Sequence, residues 1–145
     1  MRSLLQVLLV TAAALGLLAG IVFGLGDRTI FVSPPEAVAE QFMRKVETER
    51  FGQALDHLES SLQQQVSEEG LRRGMEALER RHGPFSDVRG EFLSIEGDEA
   101  SASAVLTTSA GGEVPLRFRL KRSQGSWEIS DVTSLTGAEG ELTRR

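Results

Sequence analysis

The chain has 145 residues and a formal net charge of −5, from 16 Lys and Arg against 21 Asp and Glu. It contains no Cys and only two His, His57 and His82, which excludes disulfides, thiolate metal sites and a His-rich metal centre. The acidic balance speaks against a nucleic-acid-binding face, and the absence of Asn excludes N-glycosylation.

Residues 4–26, "LLQVLLVTAAALGLLAGIVFGLG", carry no charged side chain. A bilayer core of about 30 Å needs roughly 20 helical residues, so the stretch is long enough to span. It is also longer than the roughly 7–15 apolar residues of a secretory signal, and only Gly24-Leu25-Gly26 offers a weak cleavage site. The reading is an uncleaved signal anchor over 1–26, with a cleaved, secreted form as the alternative. Arg2 and the amino terminus are positive and the far flank is not strongly basic, which orients the N-terminus inward and the rest of the chain outward, on the periplasmic or extracellular side. Ala12, Gly16, Gly20 and Gly24 recur every four residues on one helix face. Such ladders let transmembrane backbones approach closely, which makes these four residues a candidate association face; the plainer explanation is a helix simply rich in Ala and Gly.

Residues 27–32 read as a linker. Residues 27–145 keep every acidic residue and every basic residue but Arg2, a net of −6, and their number suits one domain with a modest core. "SPPE" predicts a helix start, with Ser33 as N-cap, Pro34 at the first helical position and Glu36 closing a capping box. Val38, Phe42 and Val46 then recur at helical spacing. Phe51, Leu55, Leu58 and Leu62 continue the period, with Gly52 a candidate bend. "VSEEGLRRGMEALERRHGP" predicts a further helix capped by Ser67, striped by Leu71, Met75 and Leu78, and stopped by Gly83-Pro84.

After Pro84 the period falls from 3.6 to 2, and four meandering strands are predicted at about 86–95, 99–109, 113–122 and 126–134. Ala100, Ala102, Ala104 and Leu106 share one face of the second strand; Val114, Leu116, Phe118 and Leu120 share one face of the third. A three-residue turn at Ala110-Gly111-Gly112 sets Leu106 opposite Leu116, Ala104 opposite Phe118 and Ala102 opposite Leu120. A two-residue turn at Gln124-Gly125 sets Leu120 opposite Ile129, Lys121 opposite Glu128 and Arg122 opposite Trp127. Both turns put the same face inward. The expected fold class is α+β, two to three helices on the apolar face of a curved four-stranded antiparallel sheet over residues 33–134, followed by a disordered polar tail at 135–145.

"PPEAVAEQFMRKV", "FGQALDHLESSL", a short helix ending in "GPF" and the closing "LRFRLKRSQGSWEISDV" together resemble the nuclear-transport-factor-2-like superfamily, especially its small membrane-anchored bacterial members of unknown function. The resemblance covers about residues 33–134. It implies a cone with a cavity at its open end and frequent dimers. That superfamily hosts enzymes, ligand binders and assembly modules, so it names no activity, and no catalytic set of an enzyme member is found in this chain.

The residues themselves offer few candidate sites. Asp56-His57 are neighbours that do not face each other on a helix, and His57 is expected at the solvated surface. His82 sits at a helix C-terminus, where cations complement the dipole. The register that turns Ile129 inward also turns Asp131 inward, facing Phe118, and Glu91 raises the same issue beside Leu93 and Ile95. Two buried acids at the cavity would be candidate ligand-binding residues. The alternatives are β-bulges, at Ser130-Asp131 and at Gly90. Arg117, Arg119 and Lys121 form a basic row on the outer sheet face, suited to anionic lipid or an acidic partner, or else merely solvated; Phe92 and Val105 are expected to add apolar area there. No metal site or cofactor is indicated. The expected role is a membrane-anchored, extracytoplasmic, non-catalytic module that binds a protein partner or a second copy of itself. The alternative is a small-molecule or enzymatic pocket using Asp131 and Glu91.

Overall fold

The computed structural model describes residues 32–137. The anticipated membrane span, its Ala12, Gly16, Gly20 and Gly24 ladder, and the end of the tail lie outside the described residues. Among the described residues no helix is long and apolar enough to cross a membrane. The elements are α1 (Pro35–Glu47), α2 (Phe51–Leu55), α3 (Ser60–Gln63), α4 (Glu68–His82), β1 (Phe85–Glu96), β2 (Glu99–Thr108), β3 (Glu113–Ser123), β4 (Ser126–Asp131) and α5 (Thr133–Thr136). The strands form one antiparallel sheet in the order β1-β2-β3-β4, with the helices on one face, so the architecture is α+β.

The helix starts follow from local chemistry. Pro34 precedes another proline, which disfavours the helical region for it. It is accordingly extended, with ψ of 159°, and α1 begins one residue later than expected. Ser33 therefore makes no cap, and Glu36 falls at the second rather than the third helical position, out of reach of a capping box. Its Oε2 is instead buried without a hydrogen-bond partner. The α4 start is as expected: the Ser67 hydroxyl accepts a hydrogen bond from the Gly70 amide at 3.0 Å. Gly83, in the left-handed region with φ of 86°, ends that helix.

Val38, Phe42 and Val46 are buried at the predicted spacing and, with Leu71, Met75 and Leu78 of α4, meet the alanine-lined face of β2 and Leu116, Phe118 and Leu120 of β3. Phe42 meets Phe118 edge to face, with ring centroids 5.5 Å apart. The stretch from Phe51 to Leu62 is not one helical segment. The turn before it lies at Glu49, whose φ is 59°, rather than at Gly52. The chain then leaves the helix after Leu55, because Leu58 pairs with Ile129 of β4 in an isolated parallel bridge.

The β3–β4 register is the predicted one, with Leu120 opposite Ile129, Lys121 opposite Glu128 and Arg122 opposite Trp127. Gln124 and Gly125 both have positive φ, at 49° and 81°, the combination a type I′ turn needs. The β2–β3 register differs from the expected one. Leu106 faces Val114, Ala104 faces Leu116, and Ala102 faces Phe118. The turn uses Ser109-Ala110-Gly111, one residue earlier than expected. Either glycine could supply the left-handed residue, and the Thr108 hydroxyl, accepting from the Gly112 amide at 2.8 Å, leaves that role to Gly111. Moving the turn by one residue shifts every pair by two, so each side chain keeps its face.

The sheet margins are closed by different devices. On β4, the Ile129 amide donates to the His57 carbonyl and the Glu59 amide donates to the Ile129 carbonyl, at 2.8 and 2.9 Å. On β3, beyond the end of β4, the Ser134 hydroxyl donates to the Arg117 carbonyl at 2.7 Å. On β1, the Glu40 carboxylate accepts from the Gly90 amide at 2.8 Å, and Arg44 donates to the Val88 carbonyl at 2.6 Å. Leu135 is fully buried, and a Cβ built on Gly74 of α4 would lie 2.8 Å from its carbonyl oxygen. The folded domain thus continues past the expected boundary at 134. One apolar residue in a polar tail, matched to a glycine on the helix opposite, is enough to hold that turn in the core.

Candidate functional site

At the end of the sheet that carries the β1–β2 turn, the helices and strands part to leave an open cleft of about 920 Å³. Its apolar lining comes from Leu62 and Val66, Ala100 and Leu120 of the sheet, and Val132. Carboxylates of Glu59, Glu96, Glu99 and Asp131 stand around it, against Arg119 and Lys121. The volume falls within the roughly 300–1,000 Å³ typical of ligand sites, but the lining is more polar and charged than is usual for one.

The two candidate acids do not come together. Asp131 borders the cleft, but a bulge between Arg119 and Leu120 of the β3–β4 pairing sets it opposite Arg119, not Phe118. Val132 takes the buried place instead, as the bulge alternative expected. The Asp131 carboxylate accepts from the Thr133 amide at 2.8 Å and so holds the start of α5. Glu91 is exposed and is not among the cleft residues; it lies 3.5 Å from Arg89, which also bonds Glu113 at 2.9 Å. The reason is the position of the β1 bulge. It falls at Leu93, between the pairs Phe92–Ala102 and Ser94–Ser101, rather than at Gly90. Gly90 and Phe92 thereby share the helix-covered face and Glu91 points away from it. The same register moves Phe92 off the outer face, where it was expected, while Val105 on that outer face is buried.

Arg117, Arg119 and Lys121 are exposed along β3 as predicted. Arg122 stacks its guanidinium 4.6 Å from the centre of the Trp127 ring, an amphipathic contact that covers the indole. His82 is exposed at the end of α4. His57 departs from expectation. It is half-buried, with Nε2 2.8 Å from the Lys45 ammonium on α1. Burial, and after it the Lys45 charge, hold its pKa below the ordinary value of 6.5, so the ring is a neutral acceptor of the lysine proton. The pair was missed because His57 was placed on a continuing helix, whereas the chain turns there to meet Ile129. Among the described residues no three His, Asp or Glu side chains are grouped to hold a metal ion.

No protein-family model and no curated protein matches the sequence. Solved structures do. A Campylobacter jejuni protein provisionally named an NTF2-like transpeptidase aligns over 68% of this chain and 99% of its own, with 15% identity and a TM-score of 0.54. A SEC-C motif-containing protein from Rhodopseudomonas palustris aligns over 74% of this chain and 83% of its own, with 18% identity and a TM-score of 0.49. The first likeness supports a nuclear-transport-factor-2-like fold over the 68% of the chain that it covers, as the resemblance implied. At such identity it speaks for the fold alone.

Proposed function

We propose that the chain is a membrane-tethered binding module, with the folded domain held outside the membrane by residues 1–26 and the open cleft as its binding site. The observation that carries the binding part is the cleft of about 920 Å³ with its apolar floor. The apolar side chains of Leu62, Val66, Ala100, Leu120 and Val132 at its floor would gain from being covered by a ligand or partner side chain, and the charged groups around them offer polar contacts. The tether rests on the uncharged run of 23 residues and its small-residue ladder.

The reading is non-catalytic because two of the candidate groups at the cleft are committed to structure. The Ser67 hydroxyl caps α4, Asp131 holds the start of α5, and neither histidine is among the cleft residues. The C. jejuni protein's name points to acyl transfer, and an enzymatic use of the same cleft is the second reading. It would need a nucleophile with a base in hydrogen-bond reach; the Ser61 hydroxyl donates to the carboxylate of the cleft residue Glu59 at 2.8 Å, but Ser61 itself does not line the cleft.

Val66→Trp tests this. Val66 is a half-buried cleft residue packed at the edge of the core, so a larger ring there would block the cleft, and the melting temperature reports any disturbance of the core. The full-length chain is extracted in mild detergent and weighed intact with its bound species. The expected result is a bound small molecule or protein that the variant loses while keeping its melting temperature. Equal bound mass in both chains would remove the cleft from the account.

A further inference from the structure

The sheet brings charges to the cleft that the rest of the described domain does not take up. Glu96, Glu99, Arg119 and Lys121 border the cleft, and among the described residues none of the four is in an ion pair. They are ordered by strand. Both cations belong to β3, whereas Glu99 belongs to β2 and Glu96 to β1. The strand order is β1-β2-β3-β4, so the charge changes sign from the β3 side of the cleft to the β1 side. Two strand spacings separate those sides, about 10 Å.

The chain leaves the domain at the same place. Thr136, the last residue of α5, borders the cleft, and Gly137 follows it. The Ser134 bond to the Arg117 carbonyl sets this exit on the β3 side. Residues 138–145, outside the described residues, read AEGELTRR. Their charges are ordered too. Glu139 and Glu141 come first, then Leu142, the one large apolar side chain of the eight, then Arg144 and Arg145. An extended chain reaches about 17 Å from Gly137 to Leu142 and about 10 Å from Glu141 to Arg144. A tail that starts on the β3 side and crosses toward β1 therefore brings its acids to Arg119 and Lys121 and its arginines to Glu99 and Glu96. Leu142 falls between them, over the apolar part of the lining. The opposite order of charges in the tail would set like against like.

We infer that residues 138–145 lie across the cleft of their own chain, so that an outside ligand enters by displacing them. This rests on the cleft being the binding site, as read above. Attachment makes a weak contact sufficient. A segment joined to the site by so short a connection competes at an effective concentration in the millimolar range, so a dissociation constant of about 1 mM for the detached segment would still leave the cleft about half covered. The cover loosens as salt rises, because ion pairs at an open surface are screened.

The absence of native cysteine makes the test direct. Gln65→Cys, a cleft residue between α3 and α4, and Thr143→Cys in the tail carry a nitroxide pair in the full-length chain. The labelled chain is diluted with unlabelled chain in mild detergent, and the distance between the labels is measured by pulsed dipolar spectroscopy. The expected result is one narrow distance population. It should broaden several-fold when Arg144→Glu and Arg145→Glu are added, and narrow again when Glu96→Arg and Glu99→Arg join them. A broad distribution with the native tail would overturn the inference. So would a narrow one that the two arginine substitutions leave unchanged, since the tail would then be held away from Glu96 and Glu99. Neither result touches the cleft reading, which is decided separately by the bound mass compared between the native and Val66→Trp chains.

Discussion

The two halves of β1 are one strand with opposite fates. From Phe85 to Gly90 the strand's margin is closed by α1: Glu40 takes the Gly90 amide, Arg44 takes the Val88 carbonyl, and Val88 is fully buried. From Phe92 to Glu96 no element among the described residues pairs with the margin, and the apolar side chains are in the open. An uncovered sheet margin is a template for unwanted pairing. Elsewhere on the sheet the chain bonds the margin at Ile129 of β4, through His57 and Glu59, and at Arg117 of β3, through Ser134.

The largest contrast is between two phenylalanines. Phe42→Ala removes a fully buried ring that packs edge-on to Phe118 and should cost about 3–5 kcal/mol. Phe92→Ala should stay within about 0.5 kcal/mol, since half of that residue is already in water. Paired urea melts decide this, and comparable losses would mean that the second half of β1 is core.

Gly90→Ala comes next. Its new Cβ would sit 2.2 Å from the Glu36 carbonyl oxygen, a backbone atom that cannot rotate away. A cost of about 1–3 kcal/mol is expected, toward the upper end because α1 itself must shift. Little change in denaturant midpoint would show that α1 is not seated on β1 as described.

Glu40→Ala unpairs the Gly90 amide and removes one of the partners of Arg44, which keeps the Val88 carbonyl, at a cost of about 1–2 kcal/mol. In the native chain the Gly90 amide, first among the causes, holds the Glu40 carboxyl below its ordinary value of 4.5. Its contribution is thus complete above that value and fades as the pH falls through the lower, folded-state one. Amide exchange sharpens the comparison: Gly90 should be protected in the native chain and lose protection in Glu40→Ala, whereas outward-facing amides beyond Phe92 should exchange fast in both.

The smallest effect concerns His57. Its folded-state pKa lies below 6.5, so as the pH falls through 6.5 the unfolded chain takes up the proton first and stability declines toward the folded value. A His57→Gln variant should lose that part of the pH dependence. Identical profiles for the two chains between pH 5 and 7.5 would show that the Lys45 contact is not held in solution.

The elements that sequence reasoning reads well are those where pattern and turn chemistry agree. The Gln124-Gly125 turn fixes β3–β4 because a type I′ turn accepts few residue pairs. The double glycine at 111 and 112 leaves two registers with identical faces, and a threonine hydroxyl chooses between them. The candidate site is less legible because it depends on where strands break step. Bulges opposite Arg119 and at Leu93 move Asp131 and Glu91 away from the positions that strict alternation assigns. A bulge leaves no reliable mark in a single sequence. The edge closures by Glu40, Arg44 and Ser134 are invisible for a related reason: each joins a surface-type residue to backbone far away in the chain.

The claim on which the rest depends is that the domain stays attached to a membrane by its own N-terminus and faces outward. It is tested by weighing the chain in carbonate-washed membranes of cells that express it, before and after protease is added from outside. The account predicts the full 145-residue chain in the membrane, with residues 32–137 removed by external protease. A chain that begins near Asp27 in the soluble fraction, or a membrane-bound domain that outside protease cannot reach, would contradict it.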